Sequence, residues 1–174
     1  MLPNLSSKRL TLRPFQLSDA ATVQKLAGNK IIADMTANIP HPYLDGMAEQ
    51  WISKHPTWFE NKQAVALAIE LTESSELIGT ISITEIHANK GNLGYWIGQP
   101  HWSNGYCTEA TTAILDYAFN ELALDLVYAR HLPENPASGK VMTNNGFTYI
   151  NETPVGERLL KHYELPKAQW KQLK

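Results

Sequence analysis

The stretch that decides the fold of this chain is Gly94-Tyr-Trp-Ile-Gly-Gln-Pro-His-Trp-Ser-Asn-Gly-Tyr-Cys-Thr-Glu-Ala110. It predicts a strand over residues 91–98, a short polar loop and a helix over residues 107–122. The loop residues Ser103 to Gly105 can turn their backbone N–H groups toward a bound group, and the helix adds unsatisfied N–H donors and the positive end of its dipole. The segment suits a phosphate, although on spacing alone an ordinary strand-to-helix turn explains it at least as well.

The segments on either side of this stretch follow two different patterns. Before it, short connections predict an antiparallel meander of three strands over residues 64–71, 77–87 and 91–98. After it come a strand at 126–132, a helix at 136–145 and two strands near 147–150 and 158–165. A strand, a helix and another strand in succession imply a parallel crossover. We therefore expect one α/β domain, residues 1–174, with a mixed sheet.

The first sixty residues predict one strand and two helices. The alternation from Arg9 to Phe15 predicts an opening strand. A helix capped by Ser18 or Asp19 should end at Gly28, and a second helix beginning near Asp45 should end or kink at Pro56.

Composition excludes several classes of protein. The chain has 174 residues, 43% of them hydrophobic, with 15 Lys and Arg against 17 Asp and Glu, and this balance does not suit a dedicated nucleic-acid binder. No apolar run approaches the roughly 20 residues of a membrane span, and no signal peptide is visible, so we expect a cytoplasmic protein without a membrane partner. A single cysteine and the absence of zinc spacing predict neither a disulfide nor a metal site.

A second informative segment runs from Glu134 to Phe147. Asn135 is a natural helix N-cap with Pro136 in the first helical position, and Gly146 can close the helix. Ser138 falls in the first turn, near the carboxyl end of the preceding strand, where open α/β sheets bind ligands. A purely structural capping role for Ser138 remains the alternative.

Four segments of the chain, in this order, resemble the GNAT N-acetyltransferases, most closely the RimJ/RimL branch that acetylates the N-termini of ribosomal proteins. They are Arg9-Leu-Thr-Leu-Arg-Pro-Phe15, Gly94 to Ala110, Asn135-Pro-Ala-Ser138 with Gly146-Phe147, and Trp170 near the end. The resemblance implies a mixed, mostly antiparallel central sheet of about seven strands flanked by about four helices. It also implies that acetyl-CoA lies in the splay between the two central parallel strands.

The resemblance implies transfer of an acetyl group from acetyl-CoA to an amine in a ternary complex. The family's Gln/Arg-x-x-Gly-x-Gly/Ala loop corresponds to Trp102-Ser-Asn-Gly-Tyr-Cys107, in which Trp102 and Cys107 depart from the pattern. The residues implied in acetyl-CoA binding are Trp96, Ile97, Ser103, Asn104, Gly105, Tyr106, Cys107, Thr108, Asn135 and Ser138. Trp96 and Ile97 would pair with the pantetheine arm, and an N–H near Ile97 would polarise the thioester carbonyl. Cys107 is either a small packed residue or a thiol made reactive by the helix N-terminus.

The catalytic assignment departs from the commoner GNAT pattern. Many members carry a Tyr seven residues after the motif Asn, and here that position is Met142, which cannot donate a proton. In the RimJ/RimL-like branch a Ser three residues after the Asn takes this role. The resemblance therefore implies that Ser138 is the general acid, or a hydrogen-bond donor to the sulfur, and that Asn135 orients the pantetheine.

A base must deprotonate the amine, because an α-amino group has a pKa of about 8 and a lysine about 10.4. Glu85 is the first candidate, since period two places it in the apolar row of Ile81 and Ile83, where partial desolvation would raise its pKa. Glu152, in the predicted loop after Phe147, and a water relay are the alternatives.

The acceptor is the least determined part of the prediction. A protein N-terminus is the branch-level expectation, while related enzymes acetylate polyamines, amino acids and drugs. A polyamine site would need several converging acidic residues, for which Glu49, Glu60, Glu85 and Glu152 are available. A catalytically silent acyl-CoA-binding sensor is the rival interpretation, and a homodimer is expected from the resemblance.

Overall fold

Eight strands and seven helices form the chain in a computed structural model that describes residues 1–174. The strands are β1 (Leu5–Ser6), β2 (Leu10–Arg13), β3 (Val65–Leu71), β4 (Leu77–His87), β5 (Lys90–Ile97), β6 (Leu126–His131), β7 (Thr148–Val155) and β8 (Arg158–Pro166). The helices are α1 (Ala20–Ala27), α2 (Lys30–Met35), α3 (Met47–Ser53), α4 (His55–Glu60), α5 (Tyr106–Asn120), α6 (Pro136–Asn144) and α7 (Lys167–Gln172).

All eight strands belong to one sheet, in the order β1-β2-β3-β4-β5-β6-β8-β7. Only β5 and β6 are parallel, and every other neighbouring pair is antiparallel. The predicted mixed, mostly antiparallel sheet and its single parallel crossover are therefore confirmed. None of the helices is long and apolar enough to cross a membrane.

The expected numbers of about seven strands and four helices were too low because the additional elements are short. β1 has two residues, while α2, α4 and α7 have six each, which is too few for a hydrophobic period to show. β7 extends beyond the predicted end at Ile150 to Val155, and a register shift between Tyr149 and Asn151 breaks its alternation.

Two helix boundaries test the predicted start and stop signals. α1 ends before Gly28, as predicted. The second predicted helix is broken at Lys54 rather than at Pro56, since Pro56 is the second residue of α4. The missing N–H of a proline costs little in the first turn of a helix, so Pro56 starts α4 instead of ending α3.

The sheet is covered on both faces by separate apolar clusters. On one face α5 packs against β2 to β6 through a cluster of 23 buried residues that includes Ile114 and Phe119. On the other face, α1, α2 and α3 pack around a smaller cluster of seven buried residues to which β5 contributes Trp96. The carboxyl end of β5 therefore lies between the two clusters, with Ile97 in the larger and Trp96 in the smaller.

Candidate functional site

The two parallel strands separate at the carboxyl end of the sheet. Residues Lys90–Leu93 of β5 pair with Leu126–Ala129 of β6. β5 continues to Ile97 without pairing further with β6. The rest of β6 pairs with β8 alone. α5 and α6 both begin at this end, and a cavity of about 1720 Å³ opens along the splay. The predicted splay is thus present, with two helix N-termini at its mouth.

The main chain of β5 offers free groups on the side that faces the splay. Gly98 N–H donates to Ile78 O of β4, 2.8 Å away. Because backbone groups alternate along a strand, the N–H and C=O of Trp96 also point to β4, whereas those of Ile97 point to the splay. The indole N–H of Trp102 donates to Ile97 O at 2.6 Å, which leaves the Ile97 N–H available.

Trp96 lines the cavity, but its main chain faces away from the splay. Its side chain is 8% exposed and packs in the cluster under α1 and α3, while its main chain is paired with Thr80 of β4. The free main-chain groups at the open edge of β5 are therefore those of Tyr95 and Ile97, and a main-chain contact of Trp96 with the pantetheine arm stays a prediction.

The loop before α5 and the first turn of that helix form a row of free donors. The six consecutive N–H groups from Ser103 to Thr108 find no acceptor in the protein. Positive φ angles at Ser103 (65°) and Gly105 (78°) give the alternating backbone that makes an anion-binding nest. These residues line the cavity, so the donor set fits a diphosphate.

Cys107 lies in this first turn, partly buried at the wall of the cavity. Burial raises the pKa of the Cys107 thiol well above its ordinary value, which disfavours the reactive thiolate. Of the two alternatives for Cys107, burial favours the small packed residue over the reactive thiol.

We predict that Ellman's reagent at pH 7.5 leaves the native thiol unmodified for hours but titrates one thiol after unfolding in guanidinium. Rapid reaction in the native protein would contradict this result.

The first turn of α6 places Asn135 and Ser138 at the opposite wall of the splay. The Asn135 side chain accepts a hydrogen bond from Ser138 N at 3.3 Å, as an N-cap does. Its amide nitrogen donates to Met35 O at 3.0 Å, at the end of α2. Asn135 thus joins the first turn of α6 to the end of α2, a contact that the sequence did not predict.

Tyr95 is a site residue that sequence reasoning missed. Its hydroxyl lies 2.9 Å from both Ser138 Oγ and Ser138 O. Because a carbonyl oxygen only accepts, Tyr95 donates to Ser138 O, and the Ser138 hydroxyl hydrogen stays available for Tyr95 or a ligand. Burial raises the pKa of Tyr95 far above its usual value, so the phenol stays protonated. The sequence carried no signal for this contact, because Tyr95 and Ser138 are 43 residues apart.

Glu85 lies on the opposite face of the sheet from the one predicted. A register shift between Thr84 and His87, with φ of 52° at Glu85, turns the side chain away from the row of Ile81 and Ile83. Its carboxylate accepts a hydrogen bond from the Tyr128 hydroxyl at 3.0 Å and is 56% exposed. The expected desolvation was therefore wrong, although Glu85 does line the cavity.

Glu152 is not brought to the site. It lies in β7, not in a loop, is exposed, and pairs in register with Lys161 away from the cavity. No group of three or more His, Cys, Asp or Glu side chains could hold a metal ion.

Comparisons with known proteins agree with this geometry. The sequence model described as an acetyltransferase (GNAT) domain matches residues 9–148. A Bacillus licheniformis protein named uncharacterized N-acetyltransferase p20 is 30% identical, over 97% of this chain and 91% of its own. The ribosomal-protein-S5-alanine acetyltransferase of Vibrio fischeri superposes with a TM-score of 0.83 at 18% identity, over 97% and 98% of the two chains. The spermidine N-acetyltransferase of Vibrio cholerae, solved with CoA and spermine, gives 0.79 at 19% identity, over 95% and 99%.

Proposed function

Because the chain belongs to the GNAT acetyltransferase family and takes acetyl-CoA as acetyl donor, we propose that it acetylates a primary amine with a single positive charge. The row of six unpaired N–H groups from Ser103 to Thr108 at the mouth of the splay supports binding of the donor, and the charges around the cavity support the choice of acceptor. Backbone donors at a helix N-terminus can bind a diphosphate without a lysine or arginine. Acetyl-CoA supplies an acetyl group activated as a thioester.

Two groups of this chain support the chemistry in the splay. The Ile97 N–H is a fixed donor for an oxygen that gains negative charge when a carbonyl is attacked. Ser138 carries the hydroxyl hydrogen available to a departing thiolate, and Tyr95 holds that serine in place at 2.9 Å. We assign Ser138 as the general acid, since Met142 is buried in the core and has no proton to give.

Glu85 is the proposed proton acceptor, and it acts through water. Of the two carboxylates considered from the sequence, Glu85 lines the cavity and Glu152 does not. Glu85 is half exposed and accepts a hydrogen bond from Tyr128. The substrate that suits the site best is therefore an amine that is already partly deprotonated in solution. An α-amine, with a pKa of about 8, has roughly a tenth of its molecules neutral at pH 7, far more than a lysine-like amine.

The charges around the cavity argue against a polyamine. The acidic lining residues are Glu85 and Glu134, and Lys54, Arg130 and Lys140 add three positive charges. Glu49, Glu60 and Glu152 do not reach the cavity. The outer wall is apolar, built from residues such as Trp51 and Trp58. A protein N-terminus or a small monoamine meets these conditions, because either presents one charge beside uncharged groups.

The proposal predicts acetylation of single-charge amines and poor acetylation of polyamines. With acetyl-CoA, peptides with a free α-amine should gain 42 Da in mass spectrometry, the net change when an acetyl group replaces one hydrogen. The reaction should be about tenfold or more faster than that of spermidine. The reason is repulsion between the extra ammonium groups and the basic lining residues. The same peptides with a blocked N-terminus serve as the control. A preference for spermidine would reject the single-charge acceptor, and CoA binding without any product would favour a sensor.

A further inference from the structure

Arg9 makes contacts at the donor loop that its place in the sequence does not suggest. The residue lies just before β2, 95 positions from Asn104, yet its Nη2 donates to the carbonyl oxygen of Asn104 at 3.0 Å. Its guanidinium also lies over the ring of Tyr106, 4.5 Å from the ring centroid. One side chain therefore contacts both the loop and the first residue of α5.

The contact with Asn104 O fixes the direction of one peptide unit. In a trans peptide the C=O of one residue and the N–H of the next are coplanar and point in opposite directions. Gly105 lines the cavity, whereas Arg9 does not. By holding the Asn104 carbonyl on the outer side, Arg9 turns the Gly105 N–H toward the cavity. Without this hold the peptide unit is free to rotate, since Gly105 tolerates many backbone conformations.

Glu109 keeps Arg9 in this position. Its Oε1 accepts from Arg9 Nε at 2.9 Å, and its Oε2 accepts from the Arg9 backbone N–H at 3.0 Å and from the Ser7 hydroxyl. Burial alone would raise the pKa of Glu109, but the hydrogen bonds from Ser7 and Arg9 outweigh it and hold the pKa below its usual value. Glu109 thus remains a carboxylate that locks the side chain of Arg9.

We propose that Arg9 is a positioning residue for diphosphate recognition: it aims the Gly105 N–H at the phosphates and is itself held by Glu109. This inference rests on the proposed function, because it assumes that the cavity binds CoA. It predicts that Arg9 matters for the part of the ligand that carries phosphate and not for the pantetheine arm.

The test compares two ligands, CoA and pantetheine, which lacks all phosphates. Calorimetry measures the Kd of CoA, and NMR titration measures that of pantetheine. Arg9→Ala should weaken CoA binding about tenfold or more, the loss expected for one hydrogen bond to a charged group, and leave pantetheine binding within about twofold. Arg13→Ala is the matched control, since it removes a salt-bridged arginine at the far end of β2, paired with Asp19 and Glu70 away from the loop. It should change neither Kd.

Arg9→Lys separates positioning from charge and covers the case in which the alanine variant does not fold. A lysine keeps the positive charge but cannot reach Asn104 O and Glu109 Oε1 together, so it should lose most of the CoA affinity. Wild-type CoA affinity in Arg9→Lys would overturn this inference, as would an equal loss of affinity for CoA and pantetheine in Arg9→Ala. Either result would leave the proposed function standing. Failure of the wild-type protein to bind CoA would overturn both the inference and the proposed function.

Discussion

Replacing Ser138 with alanine should lower kcat by about 100-fold while the Kd of CoA changes less than about twofold. A general acid typically contributes 10²- to 10⁴-fold, and its loss appears in kcat because proton donation occurs only in the transition state. The Ser138 hydroxyl is held 2.9 Å from the Tyr95 hydroxyl and has no other side-chain partner. Steady-state kinetics with a good peptide acceptor and calorimetry with CoA measure the two quantities.

Two further variants make the Ser138 result interpretable. Tyr95→Phe keeps the ring but removes the donor to Ser138 O, so it should lower kcat by about tenfold, a smaller loss than Ser138→Ala. Thr143→Ala, on the same helix, removes a hydroxyl that donates only to Lys140 O and should leave kcat unchanged. If Ser138→Ala retains wild-type kcat, the general acid is another group and the assignment of Ser138 is wrong.

Gly79→Ala should cause the largest loss of stability, about 3 kcal/mol in the free energy of unfolding. A Cβ atom at Gly79 would lie 2.2 Å from Trp96 O and 3.0 Å from Ile97 Cα. These are backbone atoms of β5 and cannot rotate away, so β4 and β5 must separate at the position where β5 borders the splay. The Tm should fall by roughly 10 °C, measured by circular dichroism, and CoA should bind more weakly to the folded variant.

Gly94→Ala is the matched control for this stability prediction. Gly94 lies in the facing strand, but the nearest atom to its Cβ would be Ser82 Oγ at 3.3 Å, a side-chain atom that can rotate. Its Tm should therefore change by no more than a few degrees. If Gly79→Ala is as stable as Gly94→Ala, the packing of β4 against β5 is looser than the structure indicates.

The amino-acid sequence by itself determined the helices and strands that depend only on residues close together along the chain. β4 spans the predicted residues 77–87 without a difference, and α5 begins one residue before the predicted position. Period two, helical periodicity and the residues at helix ends are local properties, so a sequence displays them directly. The loop from Ser103 to Gly105 was identified for the same reason, because glycine and polar residues before a helix define the donor row.

Only the tertiary structure decided which side chains meet at the site. Tyr95 and Ser138 are 43 residues apart, and Arg9 and Glu109 are 100 apart, so no local pattern connects them. Glu85 shows the same limit within one strand, because the bulge that turns it to the other face depends on the register with β5. A side chain's face, partners and exposure follow from how distant strands align, and that alignment is set by the packing of the whole sheet.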